Sequence, residues 1–119
     1  MKLEAAENGY LWDMLDTARE TRDLMQGFTL EALLGDARTR RALERTLEVL
    51  GEAANRVSAP TREALPQVPW AQIIGQRNVI AHGYAVLDHG RLFRTVTEDL
   101  PGLIVALEQI VEKLEQGLK

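Results

Sequence analysis

Residues 77–84, Arg-Asn-Val-Ile-Ala-His-Gly-Tyr, bring a permanent cation, a titratable imidazole and a phenol within about two helical turns of one another. Arginine stays charged and holds phosphate oxygens through a planar fork. Histidine, with an ordinary pKa of about 6.5, can take a proton from a hydroxyl and return one to a leaving oxygen near neutral pH. Arg77 and His82 therefore supply what metal-independent RNA cleavage requires. His82 moves the 2′-hydroxyl proton, and Arg77 steadies the extra charge on a five-coordinate phosphate. The 2′-hydroxyl is the internal nucleophile, which leaves a cyclic phosphate and restricts such an activity to RNA.

On a regular helix five residues turn through about 500°, so Arg77 and His82 stand roughly 140° apart around the axis. They do not share a stripe. Asn78 and His82, four apart, do share a face, and the Asn78 amide can orient the imidazole or touch the same ligand. Such an offset suits a site at a helix end, ideally at a two-fold dimer interface where a second copy completes the cleft. Spacing alone does not select this chemistry, since Arg-x4-His occurs in many unrelated helices. Each residue also has a structural reading: Arg77 pairs with Glu48 or Glu52 across a bundle, His82 bonds the last carbonyls of its helix, and Tyr84 packs under a loop. His89 lies outside the motif and reads as an ordinary turn residue.

The elements that must position these groups are helical. From Tyr10 to Met25, Leu11, Met14, Leu15, Ala18 and Met25 recur at helical spacing, and Gly27 ends that helix. Thr29 to Leu34 forms a short helical piece, and Gly35-Asp36 is a break followed by an N-cap. A long second helix then buries Leu43, Leu47, Leu50, Ala54 and Val57 and turns Arg38, Arg41, Arg45 and Glu48 outward. Residues 58–69, with three prolines, read as a loop. Pro69 starts a third helix, which carries the motif on an apolar side of Trp70, Ile73, Ile74, Ile80 and Ala81. Gly83 suits a left-handed cap, so this helix ends at His82 with Tyr84 just beyond. After an Asp88-His89-Gly90 turn, helical spacing resumes from Leu92 to Leu114, with a kink or restart expected at Pro101. The expected fold is all-α, an up-and-down bundle of four main helices with short extra pieces, in one domain over residues 1–119.

Composition bounds the function. The chain has 119 residues, is 45% hydrophobic and has no cysteine, so neither disulfides nor thiolate metal sites are available. No metal and no cofactor is called for. No apolar run approaches the roughly 18 residues of a membrane span and no leader is read at the N-terminus, so a cytoplasmic protein is expected. The net charge of -4 divides unevenly: residues 1–35 carry -4, residues 36–94 carry +3 and residues 95–119 carry -3. All nine central cations are arginines. A salt-bridged helix surface explains them more simply than a phosphate-binding face.

The wider pattern adds to this. The motif resembles the R-x4-6-H motif of HEPN domains, and R-N-x-x-x-H-x-Y is similar to its form in the HepT-like ribonuclease toxins. The resemblance extends over Asp36, Arg41 to Arg45, Leu47 to Ala53 (LEVLGEA), Val68-Pro69-Trp70, Ile73-Ile74-Gly75, and Asp99-Leu100-Pro101 with Leu103. It implies a HEPN-like helical bundle whose homodimer, or a higher oligomer, lines a shared cleft with two motifs. Arg77 and His82 are then catalytic and Asn78 supports them. It also implies a partner, an MntA-like minimal nucleotidyltransferase antitoxin that silences the toxin by transferring AMP to Tyr84. Two other readings stand beside this one: a non-catalytic module presenting RNA, nucleotide or substrate to a nucleotidyltransferase, and a structural helical dimer.

Overall fold

A computed structural model describes residues 3–82 and 87–117. Helix α1 (Ala5–Met25) is followed by a short α2 (Leu30–Leu34), a long α3 (Ala37–Arg56), a short α4 (Ala59–Ala64) and α5 (Trp70–His82). The last element is one continuous rod made of α6 (His89–Arg94), a π-helical turn (Thr95–Asp99) and α7 (Leu100–Gly117). No strand occurs among the described residues. The fold is the expected all-α bundle, with α1, α3, α5 and the α6–α7 rod as its four main members.

Apolar spacing explains the packing. Helix α1 buries Leu11, Met14, Leu15, Ala18 and Met25, and Thr17 and Thr21 complete the same stripe. Thr21 is fully buried and donates its hydroxyl to the Thr17 carbonyl at 2.8 Å, so its polar group is satisfied within its own helix. Helices α3 and α7 pack on α1, while α5 packs chiefly on α3 and forms an edge of the bundle. Arg19 of α1 pairs with Glu108 of α7 at 2.8 Å.

Caps and turns set where helices begin and end. Asp36 accepts the Arg38 and Thr39 N–H groups and the Thr39 hydroxyl, and these hydrogen bonds hold its carboxyl below the usual aspartate range. Gly27, at φ +82, turns the chain out of α1 in a region where a Cβ is strained. Arg40 reaches back to the Leu33 and Leu34 carbonyls and closes the open end of α2.

Two local expectations need correction. Residues 58–69 are not all loop. Ser58 caps α4 through the Thr61 N–H, and Pro60 falls in the first turn, where a missing N–H costs nothing. Asp88-His89-Gly90 is not a turn: Asp88 caps α6 and accepts the Arg91 N–H at 3.1 Å, and His89 and Gly90 open that helix. The interruption expected at Pro101 is present: the α-helix gives way to the π turn and resumes at Leu100 as α7. The π turn before the proline absorbs the disruption, with the Leu100 N–H bonding the Thr95 carbonyl five residues back.

Glu7 ties the start of α1 to the start of α4. Its carboxylate accepts the Ser58 N–H at 3.1 Å and the Thr61 hydroxyl at 3.3 Å. These bonds, those from Ser58 first, hold its pKa below the usual glutamate range. A lowered folded pKa gives stability that is fully present above the unfolded value of about 4.3 and is lost as pH falls through the folded value. Melting temperatures taken from pH 7 down to pH 3 are therefore expected to fall more steeply for the native chain than for Glu7→Gln. Parallel curves would show that this contact carries no acid dependence.

Candidate active site

Helix α5 carries the motif, and its two sides differ. Trp70 and Ile73 are buried and Ile74 and Ile80 half-buried, facing the core. Ala71, Gly75, Asn78, Val79 and His82 are exposed at i, i+4, i+7, i+8 and i+11, one outward stripe along the helix. Ala81, expected on the apolar side, is exposed. Beside the stripe runs an open groove of about 400 Å³ lined by Ala71, Gly75, Val79, Arg91 and Thr95.

The angular offset read from spacing is present because α5 is a regular α-helix as far as His82. Asn78 and His82 lie on the outward face. Arg77 turns toward α3 and is half-buried. Its NH1 donates to the Asn78 side-chain oxygen at 3.0 Å, and its Nε is buried without a partner. Asn78 thus meets Arg77 directly, although spacing had matched it with His82.

Glu48 and Glu52, the carboxylates that could have paired with Arg77, instead face Arg45 at 3.0 and 3.6 Å. Among the described residues no carboxylate forms an ion pair with Arg77, so its charge is not neutralised from within the bundle. Other central arginines do have structural work. Arg40 closes α2, and Arg62 donates to the Val57 carbonyl at 2.9 Å. Arg38, Arg41, Arg56, Arg91 and Arg94 are exposed. The +3 of the central segment is thus partly scaffold and partly surface.

Two glutamine bonds fix α5 to the π turn. Gln76 donates to the Thr95 hydroxyl and Gln72 to the Asp99 carboxylate, each at 3.2 Å. His89 is no ordinary turn residue. Its Nε2 lies 2.7 Å from the Glu44 carboxylate, with both side chains largely covered, so α6 is pinned to α3 at its first turn. A double-mutant cycle with Glu44→Gln and His89→Asn is expected to give a coupling of about 1 kcal/mol. Coupling below a few tenths of that would mean the pair is incidental. The contact spans 45 residues, and no local pattern announces it.

Gly83 and Tyr84 lie outside the described residues, so neither the expected cap nor the phenol's position is on view. No group of three or more His, Asp or Glu that could hold a metal ion occurs among the described residues. No helix among them is long and apolar enough to cross a membrane.

Comparison with known proteins gives the family of this helical bundle. The family model described as "Ribonuclease HepT-like" matches residues 14–110. A protein named "Putative RNase" from Methanocaldococcus jannaschii is 32% identical over 92 residues, covering 77% of this chain and 84% of the relative. One named "Probable ribonuclease HepT" from Thermococcus cleftensis is 31% identical over 102 residues, covering 82% of this chain and 93% of its own. No solved structure gives a significant match. The chain belongs to the HepT-like ribonuclease family.

Proposed function

We propose that this protein is the toxin subunit of a toxin–antitoxin pair, a metal-independent endoribonuclease that uses Arg77 and His82 at a homodimer cleft. The observation that carries the reading is the state of Arg77. Its guanidinium emerges beside Asn78 with no described carboxylate paired to it, on the helix whose exposed end bears His82. A cation left unneutralised at a surface that also carries a titratable imidazole suits a phosphate ligand. Family membership and the names of the relatives support RNA as the substrate.

In the proposed reaction His82 removes the 2′-hydroxyl proton, and the oxygen attacks the adjacent phosphorus. The bond to the 5′-oxygen breaks and that oxygen is protonated, giving a 2′,3′-cyclic phosphate and a 5′-hydroxyl. Arg77 stabilises the equatorial oxygens as charge builds, while Asn78 holds its NH1. The outward stripe of α5 suits contact with a second copy, because it carries small residues and Val79, which is 50% exposed. Two motifs would then face one cleft, so that one His82 acts as base and the other as acid.

The partner in this reading is an MntA-like nucleotidyltransferase. The Tyr84 hydroxyl releases its proton to solvent as its oxygen attacks the α-phosphorus of ATP, the α–β phosphoanhydride bond breaks, pyrophosphate leaves, and AMP remains on the ring. An anionic phosphate and a base two residues from His82 would then obstruct the cleft by charge and by bulk.

The test is incubation of the purified chain with RNA in the presence of a chelator, with analysis of the new ends. Cyclic-phosphate and 5′-hydroxyl ends, with no cutting of a 2′-O-methyl strand, are expected. Retained RNA binding without cleavage would instead favour the presenting module. For the partner, co-expression followed by mass spectrometry should find AMP on Tyr84, and neutralisation with Tyr84 unmodified would remove that part.

A further inference from the structure

The buried face of α3 lacks a side chain at Gly51, and Arg77 occupies the space. A Cβ built on Gly51 would lie 2.1 Å from the Arg77 Cβ, 2.7 Å from its Cγ and 3.1 Å from the Ile73 carbonyl oxygen. Carbon atoms do not approach that closely, so any side chain at 51 must push α5 away from α3 or expel the arginine stem.

This glycine is not there for backbone freedom. Its φ is not positive, and it sits inside a long helix where glycine is a poor former. Other helical glycines differ: a Cβ at Gly9, Gly75 or Gly102 would meet nothing within 4 Å. What distinguishes Gly51 is the stem of Arg77.

The far end of the same side chain is also held. Its Nε is buried, and NH1 is bonded to Asn78 at the surface. An arginine normally samples many rotamers, and a cation that must meet a transition-state phosphate loses its value when it wanders. We propose that Gly51 is a positioning residue for the reaction: it sets the depth at which the Arg77 stem lies between α3 and α5, and so where the guanidinium meets phosphate. This rests on the reading of Arg77 as the phosphate-stabilising cation.

The experiment compares native chain, Gly51→Ala, Arg77→Gly and the double variant in single- and multiple-turnover RNA cleavage, with NMR of the Arg77 Nε–H. Gly51→Ala is expected to lose about 100-fold, chiefly in kcat rather than KM, and to lose the slow solvent exchange of that Nε–H. In the Arg77→Gly background the stem and Cβ are gone, and only the 3.1 Å approach to the Ile73 carbonyl remains, which a shift of a few tenths of an ångström relieves. There Gly51→Ala is expected to change neither the fold nor the residual rate. The double variant therefore gives an answer even if Gly51→Ala alone does not fold. Cleavage by folded Gly51→Ala within about threefold of native, or a further loss in the double variant, would overturn the proposal. If Arg77→Gly cleaves as well as native, the catalytic reading of Arg77 fails. The Nε–H exchange then decides alone whether Gly51 seats the side chain: loss in Gly51→Ala supports the seat, and retention refutes it.

Discussion

His82→Ala is expected to lower RNA cleavage by about 10²–10⁴-fold, the usual worth of a general acid–base group, while the melting temperature stays within about 3 °C of native. The second half follows from place. His82 is exposed at the last position of α5, so truncating it leaves no core cavity. Arg77→Ala should behave differently. Loss of a charge-stabilising group costs about 10²–10³-fold in rate, and loss of a half-buried stem also lowers the melting temperature. Arg77→Lys should restore charge but little rate, because an ammonium cannot reproduce the fork or the NH1 bond to Asn78. Single-turnover cleavage of labelled RNA, read beside thermal melts, separates these cases. A native rate from folded His82→Ala would end the acid–base assignment.

The second large effect concerns stability. Trp70 stands at the first turn of α5, is 9% exposed, and donates its indole N–H to the Leu65 carbonyl at 2.9 Å. It joins the end of α4 to the start of α5 by apolar area and by a satisfied polar group together. Trp70→Ala is expected to cost about 3–5 kcal/mol from the cavity it leaves. The Leu65 carbonyl also loses its partner. A domain of this size holds only about 5–15 kcal/mol in total, so the change should be plain in a urea midpoint. Trp70→Phe keeps much of the volume and loses the hydrogen bond, and should fall well short of the alanine effect. A loss under about 1 kcal/mol in Trp70→Ala would mean the junction is supported elsewhere.

Much of this arrangement was legible in the chain. Helical periodicity gave the four main helices, and Gly27, Asp36 and Pro69 marked their ends, because these are local effects between residues within a turn or two. The errors have equally physical causes. Three prolines made residues 58–69 look like loop, although a proline in a first turn is compatible with the capped helix found there. Thr17 and Thr21 were missed in the α1 stripe because threonine reads as polar until its hydroxyl finds a carbonyl one turn back. At the site, spacing gave the divergence of Arg77 and His82. It could not give the Glu44–His89 contact or the seat at Gly51. Both join helices far apart in sequence. The LEVLGEA segment held the one available hint, a glycine inside a strong helix with no turn to make.

The burial of α5 has a dynamic consequence. Helices α1 and α7 each bury seven residues and α3 six, whereas α5 buries only Trp70 and Ile73, with the Trp70 indole bond to Leu65 and two glutamine bonds to the π turn adding to its hold. Local opening free energies follow such contacts, so native-state hydrogen exchange should find the α5 amides opening in a sub-global step below the cost of global unfolding. Cleavage could then fail, through loosening or through capture of the opened helix, in a molecule whose other three helices still exchange as a folded unit.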